Sequence, residues 1–364
     1  PFLSTTPEFI ELTDALREQG VRVTVHSDVV PELPVESVLA SASAARTAAP
    51  AVIVGYGGGS ALDLAKLVAL LCQHPEPLSQ YYGENQVPGP VLPLVAIPTT
   101  AGTGSEVTPV AVVTDPEREL KVGISSPYLI PRVGIVDPEL TVGAPPAVTA
   151  HSGIDALVHS VEAHTARPSA GSWAAPLAVF VGRNRLSSLL ALEAIRSIGP
   201  ALPRAVSHGH DAGAREGMAW GSLLAGMAFG TAGTHLSHAL QYPIGALSKT
   251  PHGLGTGLML PYVMHACLPF AEPQLADVGV ALGASGRDHA AEEAINRVVE
   301  INDAIGIPRS LAELGLSRDQ LAKVAELGLG VRRLVDNAPM PIDAEALMAI
   351  LEAAFEGNVT NAVV

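Results

Sequence analysis

Hydrophobic positions along this chain follow two different rhythms. Up to residue 146, short apolar runs alternate with stretches whose apolar residues fall three and four apart; beyond it only the second kind continues. Residues 7–19 put Phe9, Leu12 and Leu16 on one side of an amphipathic helix, "VRVTVHS" (21–27) alternates as a strand, and 34–48 reads as a second helix. "AVIVGYG" (51–57) is an apolar strand followed by a helix over 60–71, and "LPLVAIP" (92–98) is another buried strand. Strands that are apolar throughout, joined through helices, predict a parallel sheet with helices on both faces.

The stretch 106–124 reads as a hairpin turning at 115–118, and "RVGIVDP" (132–138) as one more strand. After Pro145 and Pro146 the pattern is helical, with long Ala- and Leu-rich stretches around 186–198 and 215–230. The expected architecture is an N-terminal α/β domain with a parallel, Rossmann-like sheet over 1–146 and an all-α C-terminal domain over 147–364. No internal repeat or low-complexity segment interrupts it.

Composition narrows the class. Of 364 residues 48% are hydrophobic and only 4% aromatic, so the cores are expected to be built from Ala, Val and Leu. A formal charge of −15 argues against a nucleic-acid partner, because phosphate binding needs a basic surface. Cys72 and Cys267 are the only cysteines and make no disulfide framework, which suits a reducing, cytoplasmic compartment. No signal peptide opens the chain, and its uninterrupted apolar runs are too short for a bilayer, so no membrane association is expected.

Two loops and one helix carry chemistry. In "VGYGGGSALDLAK" a buried strand runs into Gly57, Gly58 and Gly59, with Ser60 standing where a helix N-cap belongs. Bare backbone beside free helix-start amides suits an anion such as pyrophosphate, although the spacing is not GxGxxG and a tight turn alone would read the same. "PTTAGTGSE" follows a second buried strand and gathers Thr99, Thr100, Thr103 and Ser105. Ligands of open α/β sheets bind at the carboxyl ends of strands, so the pair of loops says more than either alone.

The helix is "SGIDALVHSVEAH". Asp155 and His159 stand four apart, on one face of a segment whose other residues are largely apolar. A buried carboxylate is costly unless its charge is compensated. Eight of the twelve histidines lie between His151 and His252, among them His238 and His252 in apolar surroundings. Imidazoles with a carboxylate are ligands for a divalent transition metal, but an Asp–His pair is also a structural hydrogen bond. Glu162, on the same face, reads as a ligand, a partner to an imidazole, or a salt-bridge residue.

Together, "GGGSALDLAK", "PTTAGTGSEVT", "GIVDPELT", "SGIDALVHSVEAH" and "HALQYPIGALSKTPHG" resemble the iron-containing (group III) alcohol dehydrogenases, in the family's order and across nearly the whole chain. The resemblance implies the shared architecture of these enzymes and dehydroquinate synthase: an NAD(P)-binding α/β domain and an all-helical domain that binds metal and substrate. It implies Asp155, His159, His238 and His252 as ligands to Fe2+, or to Zn2+ or another divalent metal, with Glu162 outside the ligand set. Gly57, Gly58, Gly59 and Ser60 would hold the pyrophosphate of NAD or NADP; Thr99, Thr100 and Thr103 would line its nicotinamide side, and Lys121 would contact it from the hairpin. Asp63 and Lys66 match family positions that fix the loop. The implied reaction is hydride transfer between NAD(P) and an alcohol or hydroxyacid and its aldehyde or ketone, in a homodimer or larger homo-oligomer.

Two departures stand out. Tyr242 occupies the place of a second histidine often assigned to proton relay or substrate contact, so that relay does not carry over; the variant resembles the hydroxyacid–oxoacid transhydrogenase branch, with Tyr242 itself a candidate catalytic residue. The chain also opens past the family's first strand and the acidic residue that holds the adenosine ribose; a truncated sequence is therefore expected, with the NAD-or-NADP choice left open. Enzymes resembling maleylacetate reductase or glycerol dehydrogenase, and a lyase of the dehydroquinate-synthase type, are the alternatives. The last expects several basic residues near the ligands, whereas only Lys249 lies close in sequence, as a candidate contact to a substrate carboxylate.

Overall fold

The computed structural model describes residues 2–75, 77–118, 121–169, 171 and 177–364. The chain forms two compact units: residues 1–99 with 105–140, and residues 100–104 with 141–364. The division after residue 140 precedes the expected boundary at 146, and the short stretch 100–104 groups with the helical unit.

The first unit runs α1 (Pro7–Glu18), α2 (Val35–Ala48), β1 (Ile53–Gly57), α3 (Gly59–Gln73), β2 (Gly83–Glu84), β3 (Leu94–Pro98), β4 (Val110–Val113), β5 (Val122–Ser125) and β6 (Val133–Gly134). Its parallel sheet has the order β1-β3-β6, and Gly57 is in register with Pro98. These two adjacent parallel strands therefore end side by side at the carboxyl end of the sheet. There the Thr99 N–H donates to the Gly57 carbonyl over 3.0 Å. The hairpin forms β4 and β5, antiparallel with Val110 opposite Ser125, and β2 adds in parallel to β5. Residues 119–120 of the expected hairpin lie outside the described residues.

Three expectations are corrected. Residues 21–27 form no strand: among the described residues no neighbouring strand pairs with them, and Val21 and Val25 are 48% and 43% exposed. Alternation makes a strand only where a ladder partner exists. The strand at 132–138 shrinks to Val133–Gly134, since only Val95 and Ala96 offer it a register. Residues 105–107 coil into a short 3-10 turn ahead of the hairpin.

The second unit is helical among its described residues: α4 (Pro146–Thr165), α5 (Arg185–Ser207), α6 (Ala212–Ala232), α7 (Leu236–Ser248), α8 (His252–Ala281), α9 (Ala290–Ile305), α10 (Leu321–Gly330), α11 (Arg332–Val335) and α12 (Ala344–Glu356). Every residue of α4 from Gly153 to Thr165 is buried, Asp155, His159, Glu162 and His164 included, so its polar groups need partners inside the protein. It packs against α5, α6 and α8 at the centre of a core rich in Ala, Leu and Ile.

Length and composition alone would let α8 cross a membrane, with a mean hydropathy of 1.3, which the expectation from uninterrupted apolar runs did not foresee. However, 72% of that window is buried within the protein.

Candidate metal and cofactor site

Helix α4 carries Asp155 and His159 one turn apart, α7 brings His238 near its start, and α8 opens with His252 immediately after Pro251. All four side chains converge within the helical unit. Nε2 of His238 and Nε2 of His252 lie 3.7 and 3.8 Å from Oδ1 of Asp155, while Nε2 of His159 lies 3.8 Å from Oδ2. One ligand atom each from Asp155, His238 and His252 falls within 4.8 Å of the others. His159 joins them through the second carboxylate oxygen, its ring stacked 4.8 Å from that of His238.

These separations are too long for hydrogen bonds, which close to about 2.7–3.2 Å. They fit donors around one shared cation: ligands about 2.1 Å from a tetrahedral metal stand about 3.4 Å apart. The buried Nε2 of His238 has no hydrogen-bond partner among the described residues, a state that a bound cation resolves. One carboxylate and three imidazoles also form a donor set typical of Fe2+ or Zn2+. The residues present therefore fit a divalent metal.

Outer contacts orient the set. Thr256 Oγ1 donates to Asp155 Oδ1 over 2.7 Å, and Nδ1 of His159 donates to the Gly102 carbonyl over 3.3 Å. Phe229 stacks on His159 with ring centroids 4.1 Å apart. Glu162, fully buried, lies 2.7 Å from Nδ1 of His238 and is not among the inward-facing donors. Such partners fix the tautomer and orientation of a ligand.

Burial and neighbouring charges act differently on the individual ligands. Burial pushes the Asp155 carboxyl up, but the charges of His159, His252 and His238 and the Thr256 hydrogen bond outweigh it and hold it below its usual range. Burial lowers His159 to about 4 against the pull of Asp155, so its ring is neutral near pH 7. For His238 burial again pulls downward, but the charge and hydrogen bond of Glu162 together with the charge of Asp155 outweigh it and raise the ring above its ordinary value, so a bound cation there displaces a proton.

Tyr242 sits beside this cluster, its ring centroid 6.2 Å from that of His252. Lys249 is exposed, in a left-handed conformation at the end of α7. His151, His164 and His235 stay outside the donor set: Nε2 of His164 faces Asp277 at 3.5 Å, and His235 pairs with Thr165 at 2.8 Å.

In the α/β unit, Gly57 has φ +145°, in the region that favours glycine, and any Cβ there would meet Ala61 at 2.8 Å. The N-cap of α3 is Gly58, not Ser60, which lies inside the first turn. A glycine cap brings no side chain to the first-turn amides, which leaves them the anion-binding groups of that turn. Lys121 forms an ion pair with Glu32. Asp63 accepts from the Ser105 hydroxyl over 2.6 Å and the Val112 N–H over 3.0 Å, and Lys66 donates to the Thr108 and Val110 carbonyls. Both residues thus anchor the hairpin region to α3. Gly102 and Gly104 serve close packing in the helical unit, where an added Cβ would strike Ser152 and Gly226 respectively.

Three contributors escaped the sequence reading. Thr256 stands four residues after His252, a spacing that could have revealed it. The Gly102 carbonyl and the Phe229 ring have no such signal.

Comparison with known proteins identifies the family. The pattern described as iron-containing alcohol dehydrogenase matches residues 1–138, and its C-terminal counterpart matches residues 149–355. Over 358 residues the chain is 39% identical to long-chain-alcohol dehydrogenase 1 of Geobacillus thermodenitrificans, spanning 96% of this chain and 87% of that protein. A crystal structure of a 1,3-propanediol oxidoreductase superposes with a TM-score of 0.89 at 33% identity, over 97% of this chain and 90% of the other. The sulfoacetaldehyde reductase of Bifidobacterium kashiwanohense, solved in complex with NAD+, superposes with a TM-score of 0.82 at 30% identity, over 95% and 88%. The chain belongs to the iron-containing alcohol dehydrogenase family, oxidoreductases that move a hydride between a nicotinamide cofactor and an alcohol or aldehyde.

Proposed function

We propose that this chain reversibly oxidises a small alcohol or hydroxyacid to its aldehyde or ketone, with NAD(P) as hydride carrier and a divalent metal held by Asp155, His159, His238 and His252. The observation that carries the reading is the convergence of three Nε2 atoms at 3.7–3.8 Å on one buried carboxylate. A metal bound there supplies Lewis acidity toward the substrate oxygen. The nicotinamide supplies the redox chemistry, leaving binding, orientation and electrostatics to the protein.

Each residue then has a task. Asp155 brings the negative charge, while the neutral His159 ring and its neighbours bring lone pairs. Gly57, Gly58, Gly59 and Ser60 hold the pyrophosphate through first-turn amides, and Thr99, Thr100 and Thr103 line the nicotinamide side. Lys121 reaches the cofactor by exchanging Glu32 for it. Tyr242 holds a proton near the reacting oxygen, and Lys249 contacts a substrate carboxylate. The NAD+ complex of the Bifidobacterium relative supports NAD as carrier. The intact donor set favours a metal-dependent enzyme over a maleylacetate-reductase type, whose members generally work without the metal. The two free cysteines support a cytoplasmic setting.

The decisive assay follows NADH and NADPH oxidation against a panel of aldehydes and oxoacids, with Fe2+ or Zn2+ added. Turnover that needs the metal and disappears in His252→Ala is expected. Cofactor binding without turnover on any compound would sink the proposal.

A further inference from the structure

Glu162 sits on α4 seven residues after Asp155, wholly buried, and donors occupy both of its oxygens. Oε1 accepts the Ser237 N–H over 2.6 Å, and Oε2 accepts the His235 N–H over 2.8 Å. A backbone N–H can only donate, so both positions call for acceptor oxygens, as an ionised carboxylate provides. Nδ1 of His238 approaches the same Oε2 at 2.7 Å. Facing that acceptor, Nδ1 carries the ring proton, and Nε2 keeps its lone pair. Nε2 is the atom left without a hydrogen-bond partner among the described residues, 3.7 Å from Oδ1 of Asp155.

We propose that Glu162 is a positioning residue of the metal centre. It locks His238 in the tautomer and orientation that aim the Nε2 lone pair at the ion, and it adds the second of two buried carboxylates whose charge matches a divalent cation. The inference rests on the metal reading above. Glutamine has nearly the shape of glutamate, but its amide group would turn N–H against either Ser237 N–H or the two donors on Oε2. Glu162→Gln therefore tests the acceptor role and not the volume.

Zn2+ affinity measured by chelator competition separates the possibilities for wild type, His252→Ala and Glu162→Gln, with circular dichroism as the check on folding. Wild type should bind one equivalent and His252→Ala should lose it, while Glu162→Gln binds about 10–100-fold more weakly. If wild type does not bind, or His252→Ala binds equally well, the metal reading falls and this inference with it. If only Glu162→Gln matches wild type, the metal reading stands and the role of Glu162 falls. Should Glu162→Gln not fold, 15N spectra of the histidine rings in the zinc-loaded wild type decide. A proton on Nδ1 of His238 supports the assignment, and one on Nε2 overturns it.

Discussion

Thr256 Oγ1 donates to Oδ1 of Asp155 across 2.7 Å, from one helical turn beyond His252 on the same helix. Helix α8 thus contributes both an imidazole and the group that orients the carboxylate. Thr256→Val keeps the shape but removes the donor, leaving a buried carboxylate oxygen short of a partner, a loss of about 1–3 kcal/mol. Metal affinity should fall about 10-fold or more, in line with other outer partners, while Thr256→Ser stays near wild type. Equal zinc affinities for the Val and Ser variants would remove Thr256 from the site.

Gly253 allows α8 to meet α4 beside the donors. A Cβ there would collide with the His151 carbonyl and come within 3.0 Å of the Asp155 Cβ. A backbone atom cannot swing aside as a flexible side chain can, so Gly253→Ala must push the start of α8, and His252 with it, away from Asp155. The expected result is reduced zinc binding with helical content retained by circular dichroism. A Gly253→Ala protein with unchanged zinc affinity would show that the packing is looser than this.

The parts legible in the sequence were those set by local spacing. Asp155 and His159 announce themselves four apart on an apolar helix, and Gly57–Gly59 mark a close turn after a buried strand. Pairing them with His238 and His252 needed the family resemblance, since only tertiary packing of α7 and α8 against α4 joins residues so distant in sequence. Residues 21–27 misled for the converse reason: alternation reports a half-buried face but says nothing about whether a strand lies alongside. Ser60 misled by type, since a serine suits an N-cap, yet the chain turns two residues earlier at Gly58. The Gly102 carbonyl was invisible because every residue has one.

Gly57 makes the cofactor loop testable. With φ +145° and Ala61 2.8 Å from any added Cβ, Gly57→Ala is strained in both backbone and contact. Strain of this kind costs about 1–3 kcal/mol. The variant should unfold at lower urea concentration and bind NADH more weakly by fluorescence titration, while zinc affinity in the helical unit is retained. Unimpaired NADH binding would move the pyrophosphate site away from this turn.

Lys66 gives the α/β unit a pH signature. It is fully buried, with Nζ donating to the Thr108 carbonyl at 2.9 Å, the Thr108 hydroxyl at 3.1 Å and the Val110 carbonyl at 2.8 Å. Burial lowers it from 10.5 to about 8, against the attraction of Asp63 and Glu106. Between those two values the unfolded chain binds more protons than the folded one, so this group makes stability rise with pH across the window. Lys66→Met has no proton to lose. The unfolding free energy of wild type should therefore gain about 3 kcal/mol on that of the variant between pH 8 and 10.5, at 1.36 kcal/mol for each unit of separation. Urea unfolding of both proteins at intervals across that range measures the gain. A difference that does not change with pH would mean that Lys66 titrates alike in the folded and unfolded chain.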